Sequence, residues 1–136
     1  DGAVKHDGLL DDYAFVAAAF CDLSEASGDA AWWSRSAQLL ACIGRDFVGR
    51  VGDEIIFCMT PPLPAGSPLI HRPESAQDGA APSGAAIAVE TMLRHGARGG
   101  DADAAALARQ YLAQRLAGRP NPFAHATLLA VAQREL

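Results

Sequence analysis

The feature that most constrains this chain is the run from about Leu9 to Ala26, which is apolar on nearly every side when wound at helical period. Leu10, Tyr13, Ala14, Ala17, Phe20 and Cys21 share one face. Phe15, Val16, Ala18 and Ala19 fill most of the rest. A helix of that kind is covered on several sides, so the run predicts an inner helix. Asp11 and Asp12 fall in its first turn, where the helix dipole favours carboxylates. Gly28 then suits a left-handed C-cap and Asp29 an N-cap for the next helix. That second helix, from about Ala30 to Phe47, carries Trp33, Ala37, Leu40 and Ala41 in one stripe, with Trp32, Leu39 and Ile43 beside it. One apolar stripe marks an outer-layer helix.

Residues 50–82 interrupt the helical period. Six of the eight prolines lie between Pro61 and Pro82. Glu54–Met59 is short and apolar, which fits a strand better than a helix. Leu69–Arg72 is the expected partner across the proline-rich loop, giving a β-hairpin insertion. Pro82-Ser83-Gly84 opens a third helix to about Arg94, packed through Ala85, Ala88, Val89, Met92 and Leu93. Gly96, Gly99 and Gly100 end it, and Asp101 caps a fourth helix bearing Ala105, Ala108, Leu112 and Leu116. A fifth runs from about Phe123 to Glu135. The Gly-Asp corner occurs twice, at 28–29 and 100–101, each time between an apolar and an amphipathic helix. The expected fold is therefore all-α: stacked αα-hairpins, as in solenoids or in part of an α/α toroid, with one short β-hairpin insertion. The division is a single domain over 1–136: a helical hairpin at about 9–47, the β-hairpin and proline-rich loop at about 50–82, and helices at about 83–136. Two and a half hairpins are too few to close a toroid. The expectation is therefore either an open arc or a piece of something larger, and a first residue, Asp1, that is not methionine favours the piece.

Composition narrows the function classes. The chain has 136 residues, half of them hydrophobic, with a net charge of −5. One acidic chain with a single lysine is a poor phosphate-backbone binder, so no nucleic acid is expected as partner. No apolar run reaches the 18 or so residues of a membrane span, so no membrane is expected either. The abundance of alanine and arginine is read as coding bias rather than as phosphate recognition. Cys21, Cys42 and Cys58 are widely spaced, and Cys21 and Cys42 sit in apolar helical runs as small hydrophobes. A reducing cytoplasm is the simpler compartment. His6, His71, His95 and His125 are scattered without metal-ligand spacing. No G-x-G-x-x-G, P-loop, G-x-S-x-G or H-E-x-x-H occurs, so no metal and no cofactor is expected.

Two segments carry a resemblance: Leu10-Asp11-Asp12-Tyr13-Ala14-Phe15, and Arg72-Pro-Glu-Ser-Ala-Gln-Asp78-Gly79-Ala-Ala-Pro82-Ser83-Gly84. In this order they resemble the thioredoxin-domain-containing family related to spermatogenesis-associated protein 20. Members place L-D-D-Y-A-F before a helix and carry R-x-K-E-x-x-D-G-A-x-P-S-G-N further on; His125-Ala126 resembles a family position more weakly. The resemblance covers most of the chain. It implies the later part of an α/α toroid like that of six-hairpin glycosidases and sugar 2-epimerases, here without the thioredoxin-like domain. Glu74 and Ser75 stand where the family has Lys-Glu, and Ala85 stands where it has asparagine.

That resemblance directs attention to the ends of inner helices, where toroid cavities lie. Asp11 and Asp12 are the leading catalytic candidates, with Asp78 completing a pair, since sugar hydrolysis needs two carboxylates about 5–9.5 Å apart. The alternative is that both aspartates only cap the helix. Tyr13 joins the substrate-binding candidates on the same segment. Arg72 could hold a sugar oxygen through its planar fork or pair with Asp78. Ser83 could aid anion binding at a helix start or simply cap it. His71 and His125 enter because toroidal epimerases use histidine as acid and base; surface positions are the alternative. Trp32 and Trp33 could stack on sugar or simply pack. The functional expectation is a toroid segment with a carbohydrate-related cavity, inactive alone, whose partners are a carbohydrate or the rest of a parent protein. The alternative is a non-catalytic helical protein-interaction module, for which self-association into a homo-oligomer is also an expectation.

Overall fold

The computed structural model describes residues 8–63, 65–66 and 71–135. In chain order the elements are α1 (Leu10–Ser27), α2 (Ala30–Asp46), β1 (Val48–Val51), β2 (Glu54–Phe57), α3 (Gly84–Ala97), α4 (Ala102–Ala117) and α5 (Ala126–Glu135). The described chain is thus mostly helical, with one short antiparallel hairpin. His6, Leu69 and Ile70 lie outside the described residues.

Both corners form as the sequence predicts. Gly28 adopts φ 73°, a left-handed conformation that costs glycine nothing, and its N–H closes on Ser24 O. The Asp29 carboxylate accepts from Ala31 N at 2.8 Å. Asp101 does the same for α4, accepting from Asp103 N and Ala104 N, both at 3.0 Å. The corners close two helical hairpins, α1–α2 and α3–α4, and α1 and α3 pack side by side.

The core follows from that arrangement. Leu10, Ala14 and Ala17 of α1 meet Ala85, Ala88, Val89 and Met92 of α3 in one buried cluster. Leu40 and Ile43 of α2, Tyr111 and Leu112 of α4, and Leu128 and Val131 of α5 close it. Alanine on the facing sides of α1 and α3 lets their backbones approach. Larger residues fill the flanks, where Phe47, Phe57 and Ile55 are buried. Each such side chain stabilises the fold by about 1.5–3 kcal/mol through loss of apolar surface from water.

Several expectations are corrected here. The buried stripe of α2 is Ser36, Leu40 and Ile43, continued by the C-cap Phe47, whereas Ala37 and Ala41 are exposed. The predicted stripe was rotated by about one position, because small alanines do not mark a face. Nor is α1 enclosed all round: Tyr13 and Phe20 are half-buried, and Phe15 and Val16 are 38% and 44% exposed. Of the expected strand partner Leu69–Arg72, Leu69 and Ile70 lie outside the described residues, and β2 pairs with β1, register Val51↔Glu54 to Val48↔Phe57. The tight turn at Gly52-Asp53 explains this, since Gly52 supplies the positive φ of 60° that a two-residue hairpin needs. The chain does return along the other edge of β2, but at Pro73–Ser75. There Met59 N donates to Pro73 O and Ser75 N to Phe57 O. Phe123 precedes α5 and is 92% exposed.

Candidate functional site

The first turn of α1 and the first turn of α3 meet at one end of the helical layer. The loop 74–83 crosses in front of them. Between them lies an open cleft of about 460 Å³, lined by Asp11, Met59, Glu74, Ser75, Ser83 and the intervening loop. Leu10 N donates to Met59 O at 2.9 Å, which fixes the start of α1 against the segment leaving β2.

Asp11 is the carboxylate aimed into this junction. Its Oδ1 accepts from Gly84 N at 3.1 Å and from the Ser75 hydroxyl at 3.2 Å. The N–H of Gly84 belongs to the free donors at the start of α3, so the charge sits where the helix dipole favours it. Among the described residues, Asp11 Oδ2 takes no hydrogen bond. Asp12 is separated from it, as neighbouring positions on a helix must be. Its Oδ2 accepts from Leu9 N at 2.8 Å and so tightens the start of α1.

Asp78 lies beneath the loop and joins two helix starts. Its Oδ1 accepts from Ser83 N at 2.9 Å and its Oδ2 from Thr127 N at 2.8 Å. Burial pushes its carboxyl pKa up. The backbone N–H groups of Thr127 and Ser83, the Thr127 side chain and nearby His125 together outweigh that and hold it below its ordinary value. Ser83 is the N-cap of α3, its hydroxyl accepting from Ala86 N at 3.2 Å. Carboxylates and a hydroxyl therefore already take the donors that a bound anion would use. Glu74 forms an ion pair with Arg115.

Chemically, the cleft offers the Asp11 carboxylate, the ion-paired Glu74 carboxylate and two serine hydroxyls. That set suits hydrogen bonding to hydroxyl-rich molecules. Its second carboxylate, Glu74, is tied to Arg115, whereas sugar hydrolysis calls for two carboxylates acting as acid and as base or nucleophile. Among the described residues no three His, Cys, Asp or Glu side chains converge as a metal site, and no helix is long and apolar enough to cross a membrane.

Over 104 residues the chain is 38% identical to human spermatogenesis-associated protein 20, a match that covers 72% of the chain. The chain is a relative of spermatogenesis-associated protein 20. It corresponds to 13% of that protein's length. No protein-family model and no solved structure matches it.

Of the candidates suggested by the resemblance to the spermatogenesis-associated protein 20 family, the structure gathers Asp11, Asp78 and Ser83 around the start of α3. The others stand apart. Tyr13 is half-buried, its ring 5.1 Å from that of Phe47. Arg72 does not pair with Asp78. Its guanidinium donates to Thr60 O at 2.9 Å and also to Asp46 O, tying the loop to the end of α2. His71 is exposed beside Arg50 and Val51 of the β-hairpin, in a separate shallow groove. His125 lines another groove with Glu54, Gln114 and Arg115, its Nδ1 3.1 Å from Asn121 O. Trp32 packs on Phe20, ring centroids 5.3 Å apart, and Trp33 on His95.

Sequence reasoning missed two features. Ser75 lines the cleft, and only its position against Asp11 makes it notable. The second is a buried cluster away from the cleft. His95 Nε2 lies 3.0 Å from Ser36 Oγ and 3.4 Å from Cys21 Sγ, and that sulfur lies 3.2 Å from Ser36 Oγ. Its signal was present: Ala85, Ala88, Met92 and His95 continue one helical face.

Proposed function

We propose that this chain is the later part of an α/α toroid in a larger protein, and that its cleft is one wall of a carbohydrate-related cavity with no catalytic activity of its own. The observation that carries this reading is the state of the two acidic residues that line the cleft. Glu74 is paired with Arg115, which leaves Asp11 as the lining carboxylate without a basic partner among the described residues, while Asp78 beneath the loop is committed to two helix starts. The side-by-side packing of α1 and α3, each with its own hairpin partner, supports the toroid. The family pattern has glutamate where Ser75 stands, and Ser75 faces Asp11 across 3.2 Å. A hydroxyl in place of that carboxylate supports a cleft that binds without turnover. The single-domain division of the chain belongs to the same reading. So does a reducing, cytoplasmic location, which its three free cysteines, two of them buried, suit.

Incubation of the chain with a panel of disaccharides and amino sugars is expected to give no product above buffer. Turnover that disappears in Asp11→Ala would overturn the inactivity and make Asp11 a working carboxylate.

A second reading, a non-catalytic interaction module that self-associates, is favoured by the exposed apolar edge of α1, where Leu9, Phe15, Val16 and Leu23 are 38–45% exposed. Light scattering separates the two readings. A monomer across the micromolar range is the expected result, and a concentration-dependent dimer lost in Val16→Asp would favour the module.

A further inference from the structure

The cluster of His95, Ser36 and Cys21 joins three helices at a point the cleft does not use. Cys21 belongs to α1, Ser36 to α2 and His95 to α3. Cys21 and Ser36 are fully buried and His95 is 2% exposed. The three heteroatoms form a closed triangle with sides of 3.0, 3.2 and 3.4 Å. Trp33 lies stacked on the imidazole, ring centroids 3.9 Å apart, and the Arg98 guanidinium covers the outer face of Trp33 at 4.6 Å. The next turn of α3 wraps the backbone, with Arg98 N and Gly100 N both donating to His95 O.

We propose that His95 is an acid-sensitive latch that holds α2 on α3, closed while the imidazole is neutral and released when it takes a proton. The surroundings have no place for an imidazolium. Its Nε2 partners are a hydroxyl and a thiol, neither of which carries negative charge, since burial pushes the Cys21 thiol pKa up. From α3, Arg94 and Arg98 present like charges. From α1, Asp22 and Glu25 face the site but are consumed by those arginines: Arg94 pairs with both and Arg98 with Glu25. From α2 come only Trp33 and Ser36, which do not titrate. Asp101, at the start of α4, supplies a minor opposing pull. Burial, then Arg94 and Arg98, accordingly hold the imidazole pKa below its ordinary 6.5.

The sign follows from proton linkage. Below pH 6.5 the unlatched chain takes up a proton at His95 more readily than the latched chain does. The latch is therefore fully effective above pH 6.5 and weakens as the pH falls. For one proton, the opening equilibrium rises by up to about tenfold per pH unit until the latched-state pKa is reached.

The test follows Trp33 emission in a Trp32→Phe background, with amide protection factors of α2, from pH 7.5 to 5. A single sigmoidal emission change with a midpoint below 6.5 is expected. Protection in the Trp33–Leu40 segment should fall by up to about tenfold per unit, while Ala88 and Val89 of α3 stay protected. His95→Gln, which keeps one hydrogen bond to Ser36, should flatten both curves. Because that variant could fail to fold, the ring nitrogens of His95 are also to be followed by NMR in the unaltered chain. A neutral ring at pH 6.5 whose protonation tracks the loss of α2 protection supports the latch. A midpoint at or above 6.5, or protonation that leaves α2 protection unchanged, overturns it.

Discussion

Replacing Asp78 with alanine is expected to destabilise the fold by about 2–4 kcal/mol, the loss of two helix-start hydrogen bonds to one carboxylate. Ser83 N and Thr127 N would both lose their acceptor, and the loop carrying Ser75 would lose its anchor to α5. In a chain of this length the midpoint of thermal unfolding should fall by roughly 8–15 °C. Asp78→Asn should lie in between, since its amide can accept from one N–H group but turns a donor toward the other. The contribution also has a pH signature. A carboxyl whose folded-state pKa is held below its ordinary 3.8 stabilises fully above that value, and the contribution fades as the pH drops through the lower one. A catalytic aspartate free of structural duty would leave the unfolding midpoint where it is, so unchanged stability in Asp78→Ala would refute the helix-joining role.

The second large effect is expected at Gly84, the glycine that closes the Pro-Ser-Gly segment. A Cβ there would collide with the Asp11 carboxylate oxygen and sit 3.0 Å from Asp11 Cα and 3.1 Å from Asp11 N. Backbone cannot yield as the tip of a side chain can. Gly84→Ala must therefore push α1 and α3 apart or break the Gly84 N–Asp11 hydrogen bond. Overpacking of this kind costs about 1–3 kcal/mol, and loss of a charge-assisted hydrogen bond adds about 1.5. The better helix propensity of alanine returns about 1 kcal/mol. The net expectation is a loss of about 1.5–3.5 kcal/mol in chemical denaturation. Gly44, in α2 with nothing within 4 Å of its Cβ position, is the internal control. Gly44→Ala should be neutral or stabilise by up to about 1 kcal/mol. Equal responses at the two positions would show that the close approach of α1 and α3 does not constrain residue 84.

Most of the secondary structure was legible because its signals are short-range. The period of Leu10, Ala14, Ala17 and Cys21 marks α1, and Gly28-Asp29 and Gly100-Asp101 mark the corners. Each of these acts through contacts within about one helical turn. Reading failed where the deciding partner was distant or the cue small. Alanine gave a misplaced stripe on α2, because a methyl group packs on either side of a face. The pairing of β2 with β1 follows from the two-residue turn at Gly52-Asp53, a cue that the proline-rich stretch after β2 outweighs in the sequence. His95 reads in the sequence as one of four scattered histidines, and its position on the face of Met92 and Ala88 is the cue to its burial.

The candidate site was less legible than the fold, and the reason is distance along the chain. The resemblance offered Asp11, Asp12 and Asp78 with Tyr13, Arg72, Ser83, His71 and His125 as candidates, and the sequence determined that α1 and α3 begin with carboxylates and a cap near them. It could not say which oxygen would meet which N–H. Asp11 finds Ser75 and Gly84 at separations of 64 and 73 residues, and Asp78 finds Thr127 at 49. Hydrogen-bond energy depends on a few tenths of an ångström and on angle. Those quantities are fixed only when the hairpins pack, so helix positions were written in local periodicity while the duties of the carboxylates were assigned by tertiary contact.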